Sequence, residues 1–513
     1  MQHSSDTKRI AKNTAFLYIR SILVMVVSIY TSRVILQQLG VDDYGIYNVV
    51  GGVVGMFSMF SATFVSASQR FLSYSLGSGN LNGTREIFSI SVQIHVILAI
   101  FLFFLIEIIG GWYLGKYMNI PDGRLDAAYI VFHISNLSFV INLLSIPYNA
   151  LIIAKENMDV FAYVSIFEVL ARLCIVLILP YLNADKLVLY SILLLLVSLI
   201  VRLFYGFYCG RKFPESKVVK IKNKGLYKNF LAFSGWNFLG SGTTILNVNG
   251  TNLILNYFCG VAINTSKGLT TQVQSAVMQL VSNFLTAMNP QIVKSYSVGD
   301  KAYVNSLISS GSKLGFYLLL FISLPIVFTA SDVLSIWLGE VPPYTTIFLI
   351  LVLVTGLLNP FTTLLDTLLS ASGHIKNYQI ETSITTLISL PILCYVLYLG
   401  AEPYAVYVIG FILGIVNLCI RIYNCSKYVN GFNTSFYLLN VVLKTLVVPA
   451  LAIIVPLLFR LYFYNGSFLF WIIQCVIVEF SLLFSILVIG LTSYEKNKLK
   501  EMIVDTKNKW LKL

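Results

Sequence analysis

Ionisable side chains are rare inside the long apolar stretches of this chain, and those that occur there are the residues whose chemistry needs an explanation. Arg20, Arg33, Arg172, Lys267 and Lys313 bring positive charge into such stretches, and Glu168 and Asp366 bring carboxylates. A charge at membrane depth costs from about 3 to more than about 10 kcal/mol, so it persists where it faces a polar gap, meets a partner or takes part in function. The cations read as a binding place for an anionic cargo. A guanidinium holds a phosphate or diphosphate through paired hydrogen bonds and replaces the solvation lost on leaving water. The carboxylates read as ion-coupling candidates, Asp366 first, because Pro360 six residues before it bends the helix and frees a backbone carbonyl nearby.

Helical geometry sorts these residues further. At about 100° per residue, Asn13, Arg20, Ser28 and Thr31 fall on roughly one face, a polar stripe expected to point into a cavity with Arg20 contacting a diphosphate. Arg33 is rotated about 140° from Arg20 and lies near the outer interface, where snorkelling to headgroups competes with a cavity role. Lys267, near the outer end of the eighth span, and Lys313, in the inner part of the ninth, follow by the same depth reasoning. Glu168 and Arg172 are four apart and meet on one face. They form either a self-neutralised pair that lets the helix insert, or a cavity cation with a proton-accepting carboxylate. His95 and His133 lack a carboxylate or cysteine at ligand spacing, so they are expected to be hydrogen-bonded interior residues and no metal site is expected. The seven cysteines show no CxxC spacing and read as small buried hydrophobes. Gly51, Gly52 and Gly55 predict a close helix contact. The chain has no GxxxxGK[ST] loop, nucleophile elbow or metalloprotease helix, so no catalytic residue, no cofactor and no direct use of ATP is expected.

The elements that must position these residues follow from composition. With 57% hydrophobic and 11% charged residues over 513 positions, and a mean hydropathy of +0.81, the bilayer is the solvent for most of this surface. Apolar stretches near the ~20 residues that span a bilayer predict about fourteen helices. They run near 12–38, 44–74, 86–110, 126–153, 158–181, 186–209, 229–255, 261–289, 305–330, 345–371, 378–399, 403–425, 436–459 and 467–492. The net charge of +13 is gathered at helix ends, with Lys212, Lys217, Lys220, Lys222, Lys224 and Lys228 in one connection and Lys496, Lys498, Lys500, Lys507, Lys509 and Lys512 in the tail. That placement fits membrane lipids as partners and excludes nucleic acid. Loops on the side of the termini carry roughly two dozen basic residues against about four opposite, which places both termini in the cytoplasm. The first span has no small-residue cleavage site and is read as retained.

A weak repeat runs through these spans. Leu36-Gln37-Gln38-Leu39-Gly40, followed by a span ending in Ser73-Tyr74-Ser75-Leu76-Gly77, is echoed by Leu255 to Gly260 followed by Ser295-Tyr296-Ser297-Val298-Gly299; Pro147 before Ala154 is echoed by Pro360 before Ala371. An even number of helices per copy keeps the orientation, so the expected fold is all-α and polytopic: two six-helix lobes related by a pseudo-two-fold axis along the membrane normal, plus two extra helices. The expected domains are the first lobe (1–210), a basic cytoplasmic linker (211–228), the second lobe (229–430), helices thirteen and fourteen (431–492) and a basic cytoplasmic tail (493–513).

From about residue 10 to 492 the chain resembles the polysaccharide flippases, Wzx-type exporters of O-antigen and capsule repeat units, within the multidrug/oligosaccharidyl-lipid/polysaccharide (MOP) superfamily. The resemblance rests on Asn13-Thr14-Ala15-Phe16-Leu17-Tyr18-Ile19-Arg20, Thr31-Ser32-Arg33-Val34 and Leu39-Gly40-Val41-Asp42-Asp43-Tyr44-Gly45-Ile46-Tyr47. It implies two six-helix lobes around a central cavity in the bacterial inner membrane. It also implies alternating access for undecaprenyl-pyrophosphate-linked oligosaccharides in lipopolysaccharide or capsule assembly, a proton or sodium gradient, and other polysaccharide-assembly membrane proteins as partners. The superfamily's drug-efflux branch places an acidic residue in the first helix, and this chain has none between Asn13 and Leu39, which favours an anionic cargo. A drug/cation antiporter and a polytopic polymerase or ligase remain as alternatives.

Overall fold

A computed structural model of the protein describes the backbone of residues 2–491 and 496, except 78–79, 122, 156, 222–224 and 464–467. Side chains are described over the same range except 2–20, 62, 66, 70, 73, 77, 158, 229, 232–241, 286–287, 290–291, 293–294, 297, 375 and 468. Among the described residues every regular element is helical. In chain order they are α1 (Gln2–Met56), α2 (Ser58–Gly77), α3 (Leu81–Tyr117), α4 (Leu125–Ala154), α5 (Met158–Ile178), α6 (Lys186–Lys212), α7 (Gly225–Cys259), α8 (Val261–Val298), α9 (Lys301–Phe328), α10 (Ala330–Leu338), α11 (Thr345–Gly356), α12 (Asn359–Ala371), α13 (Ile375–Tyr398) and α14 (Ala405–Tyr428). Two further helical stretches follow, Thr434–Phe463 and Leu469–Gly490. Eleven stretches among the described residues are long and apolar enough to cross a bilayer. They do not include α2, α7 and α8, which are helical over ranges expected from the sequence and richer in Ser, Thr, Asn and Gln.

Local signals explain the breaks. Helix α1 is two helices in series, joined at Gly40 with φ 77° and ψ 175°, a conformation open to glycine and closed to residues with a Cβ. Gly260, at φ 83°, separates α7 from α8 in the same way, so both glycines of the repeated Leu–Gly motif serve as elbows between consecutive helices. Pro360 stands in the first turn of α12, where its missing N–H costs no intrahelical bond. The expected span 345–371 is thus delivered as α11 and α12, interrupted after Gly356.

By its contacts the chain divides into two units. The first comprises Met1–Gln272, Pro342–Thr345 and Thr386–Val406; the second comprises Val273–Val341, Thr346–Thr385 and Tyr407–Leu513.

In the first unit α4 packs on α3 and α6, α1 on α5 and α7, and α2 on α7. Ile46, Val50, Val53, Leu102, Ile106, Val131, Phe132 and Leu187 form its apolar centre. The helices approach closely because small residues permit it: a Cβ on Gly110 would lie 2.5 Å from the Phe132 ring. Ends of helices are tied by charge. Arg124, before α4, donates to Asp43 (Nε to Oδ1, 2.8 Å) and to Asp185 (Nη1 to Oδ2, 2.5 Å), which joins α1, α4 and the start of α6. At the other ends, Lys155 Nζ donates to Glu215 Oε1 at 2.6 Å and Arg85 Nε to the Pro214 carbonyl at 3.0 Å, fastening the start of the basic connection after α6.

In the second unit α9 packs on α12. Phe316 and Phe361 rings meet at 5.4 Å, and Ser312 Oγ and Tyr437 OH lie 3.0 Å apart in the buried interior.

Candidate functional site

Within the first unit, five helices enclose a polar cavity of ≈ 390 Å³. Each contributes a stripe at helical spacing: Asn48, Gly51, Gly52 and Gly55 from α1, Ser135, Ser138 and Asn142 from α4, Glu168 and Arg172 from α5, Ser191 and Ser198 from α6, and Asn249 and Asn252 from α7. Offsets of three, four and seven residues put each stripe on one helix face, and the apolar faces of the same helices are left for the core and the lipid. Phe167, Leu170, Leu177 and Ile178 of α5, for example, are exposed on the outer surface of the helix that carries Glu168 and Arg172.

The glycines of α1 set the shape of this cavity. A Cβ on Gly52 would stand 3.4 Å from Asn252 and one on Gly55 3.0 Å from the Asn249 amide oxygen, so α1 and α7 touch along this line, as the small-residue spacing predicts. Gly51 faces open space. Deeper in α1, Gly45 lets the helix run against the start of α8, where its Cβ would clash with the Val261 carbonyl, and Thr265 Oγ1 donates to the Val41 carbonyl at 2.7 Å. The Leu39 to Tyr47 motif is therefore an elbow, an ion pair through Asp43 and a close helix crossing in succession.

Electrically the cavity is balanced. Glu168 and Arg172 are its charged lining residues, and Arg172 Nη2 donates to Glu168 Oε1 at 2.6 Å. The pair is open, with side-chain exposures of 46% for Arg172 and 38% for Glu168. Most of the guanidinium's N–H donors and the second carboxylate oxygen therefore stay available. Several neighbours are similarly uncommitted: the side chains of Ser135, Ser138, Asn142, Ser198 and Asn252 have no hydrogen-bond partner among the described residues. Asn48 and Asn249 are braced on their own helices by bonds to the Tyr44 and Ile245 carbonyls.

The other residues singled out from the sequence are distributed differently. Arg20 lies outside the residues whose side chains are described. Arg33 is half-buried on α1 and forms no salt bridge among the described residues. Lys267 is buried in the first unit, where its Nζ donates to the Val248 carbonyl at 3.1 Å. Lys313 is buried on α9 in the second unit. Asp366 is held in the second unit by a partner that sequence reasoning passed over: Arg421 of α14 donates from Nε to Oδ1 at 2.7 Å and from Nη2 to Oδ2 at 3.2 Å, and braces itself on the Asn417 carbonyl. This fork-to-fork pair bridges α12 and α14.

Two expectations are corrected. His95 is buried and bonded to the Ser91 carbonyl as expected, but His133 is exposed at its side chain and its Nδ1 pairs with Glu107 Oε2 at 2.7 Å. Glu107 also accepts from Asn136 at 2.7 Å, giving an acid–imidazole–amide cluster across α3 and α4. A carboxylate inside an apolar span was the signal for it. Of the cysteines, Cys174, Cys394 and Cys419 are exposed and not buried. In a helix whose outer face meets acyl chains, a small apolar thiol gains nothing from the interior, so depth in the sequence does not imply burial in the protein.

Comparison with known proteins is consistent with this arrangement. A family model described as polysaccharide biosynthesis protein matches residues 8–295. An uncharacterized membrane protein EpsK of Bacillus subtilis (strain 168) is 21% identical over 352 residues, 68% of each chain. Among solved structures, the lipid II flippase MurJ in an inward closed conformation superposes with a TM-score of 0.66 at 13% identity, covering 93% of this chain and 98% of that one. An inward-facing multidrug resistance MATE family transporter of the MOP superfamily gives 0.60 at 13% identity, covering 80% of this chain and 93% of that one.

Proposed function

We propose that this chain, which belongs to the polysaccharide biosynthesis protein family, is a flippase that moves undecaprenyl-diphosphate-linked oligosaccharide repeat units from the cytoplasmic to the periplasmic leaflet. Membership of that family, with a fold shared by MOP-superfamily transporters, makes it a multi-pass membrane transporter and not an enzyme. The observation that carries the finer reading is the polar cavity of the first unit. Apolar helices that spend Ser, Asn, Glu and Arg on one inward face provide hydrogen bonds to a hydrophilic headgroup while its lipid tail stays in the bilayer.

In this reading both termini are cytoplasmic and the cycle is one of alternating access. In the first unit the diphosphate is met by Arg20, Arg33 and Lys267, and Lys313 is the candidate cation of the second unit. A proton or sodium gradient drives the cycle through Glu168, which is open to the cavity, or through Asp366. O-antigen, capsule or another repeat unit would be handled by the same chemistry, in concert with other polysaccharide-assembly proteins of the membrane. Cells lacking the protein are expected to accumulate lipid-linked oligosaccharide on the cytoplasmic side. Wild-type protein should clear it, and Arg20→Glu protein present at normal membrane levels should not. Clearance by Arg20→Glu at the wild-type rate would remove Arg20 from the substrate path, and no accumulation at all in the deleted cells would defeat the flippase reading.

A further inference from the structure

The cavity of the first unit has a charge that does not suit the diphosphate. A diphosphate carries about two negative charges, and a site that takes it out of water must offer an excess of positive charge or a set of aligned N–H groups. Among the cavity's lining residues the positive charge of Arg172 is matched by Glu168 at 2.6 Å, so the formal sum is zero. Placing a diphosphate there would set it against the Glu168 carboxylate, and like charges at close range disfavour binding.

What the cavity does offer is a mixture of donors and acceptors without net charge. Arg172 presents guanidinium N–H groups and Glu168 a free carboxylate oxygen; Asn142 and Asn252 present both an amide donor and an acceptor; Ser135, Ser138 and Ser198 present hydroxyls that serve either way. A sugar ring has the complementary pattern, since each hydroxyl donates and accepts and an acetamido group does both from separate atoms. Phe139 adds an apolar face at the same wall, suited to the C–H side of a pyranose. The volume of ≈ 390 Å³ is near the lower end of ligand sites, about 300–1,000 Å³, enough for roughly one or two sugar rings and not a whole repeat unit.

We propose that the cavity bounded by α1, α4, α5, α6 and α7 is a sugar subsite that reads uncharged hexose or acetamido-hexose units, and that the diphosphate is bound elsewhere. This rests on the flippase reading and deepens it, because it moves Arg172 from the lipid-linked anion to the glycan. Glu168 and Arg172 act together: their mutual pairing prepays the desolvation of each, and the vacant edges of both groups face the sugar. A site built this way discriminates by hydrogen-bond complementarity. A glycan that lacks a matching hydroxyl leaves a polar group of the cavity unanswered, at a cost of about tenfold or more in affinity.

The test is equilibrium binding to the purified full chain in lipid nanodiscs, with undecaprenyl diphosphate, the same lipid bearing an N-acetylhexosamine disaccharide, and inorganic diphosphate as probes. The disaccharide lipid is expected to bind at least tenfold more tightly than undecaprenyl diphosphate. Glu168→Gln with Arg172→Gln, and separately Asn142→Ala, are expected to abolish that preference while affinity for undecaprenyl diphosphate is kept, which also shows that the variants are folded. Equal affinity of the wild type for the two lipids overturns the sugar subsite and leaves the flippase reading standing. Inorganic diphosphate binding that is lost in the Arg172 variant would also overturn it, by making the cavity an anion site. Failure of both lipids to bind the wild type overturns both readings together.

Discussion

Among the described residues two carboxylate–guanidinium pairs lie within apolar spans, and they are built to opposite ends. Glu168 and Arg172 sit one turn apart on a single helix, share one hydrogen bond, and leave much of both side chains open to a polar cavity. Asp366 and Arg421 come from two helices and lock fork to fork; the carboxylate is 36% exposed, much like Glu168, but the guanidinium is only 16% exposed. The first pair adds almost nothing to the fold, because it brings no two elements together, and its groups can turn toward a ligand. The second joins α12 to α14 and has little left to offer a ligand. Ion pairs at membrane depth are thus not one class of feature: the number of helices joined and the hydrogen bonds left over decide between binding and bracing.

This contrast can be broken most forcefully from the bracing side. Arg421→Ala leaves the Asp366 carboxylate unpaired between helices and, with that carboxylate 36% exposed and open to rehydration, is expected to cost about 1–3 kcal/mol, seen as a drop in the thermal midpoint of the detergent-purified protein. Arg172→Ala should cost less than about 0.5 kcal/mol by the same measurement. Equal losses would mean that the two pairs do the same work. Next in size is the effect on coupling. Asp366→Asn, whose amide oxygen still accepts a hydrogen bond from the charged Arg421 guanidinium, is expected to transport in vesicles with an unchanged dependence on the proton or sodium gradient. Loss of that dependence would assign coupling to α12.

Small-residue spacing sharpens the cavity side of the comparison. Gly55→Leu drives a side chain into Asn249 and should lower transport severalfold, whereas Gly51→Ala, which faces open space, should leave transport within about twofold of wild type. The smallest effect is expected at the helix ends. The hydrogen bond from Arg124 holds the Asp185 carboxyl below the usual carboxylate range, against the partial desolvation that opposes it. A depressed folded-state value means that the stabilisation is present above the unfolded value and is lost as pH falls through the folded one. The thermal midpoint of the wild type should therefore fall somewhat more steeply below about pH 4 than that of Arg124→Ala, and identical acid limbs would dissociate the tie from stability.

Much of the architecture can be read from the residues alone, because bilayer thickness imposes a length and apolarity that composition reveals directly. The Leu–Gly elbows, the interruption at Pro360 and the contact of Gly52 and Gly55 with α7 all follow from local chemistry visible in the sequence. The candidate site was only half legible. Glu168 and Arg172 stand out because charge in a span is costly, but Ser135, Ser138, Asn142, Ser191 and Ser198 are inexpensive residues in a membrane helix, and only their common spacing on adjacent helices marks them. Arg421 and Glu107 carried the same signal of charge in a span, yet their partners, Asp366 and His133, are 55 and 26 positions away, a separation that periodicity cannot bridge.

In the flippase reading the inward polar faces of the first unit hydrogen-bond the glycan of a lipid-linked substrate while the protein carries it across the bilayer. The most direct test of that reading is a proteoliposome assay with undecaprenyl-diphosphate-linked disaccharide on one leaflet, following its arrival at the other by accessibility to a sugar-specific hydrolase. Wild-type protein is predicted to move it well above the rate of protein-free vesicles, and the Glu168→Gln, Arg172→Gln double variant at least tenfold more slowly. Translocation by the double variant at the wild-type rate, or none above background by the wild type, would rule out transport through glycan binding in this cavity.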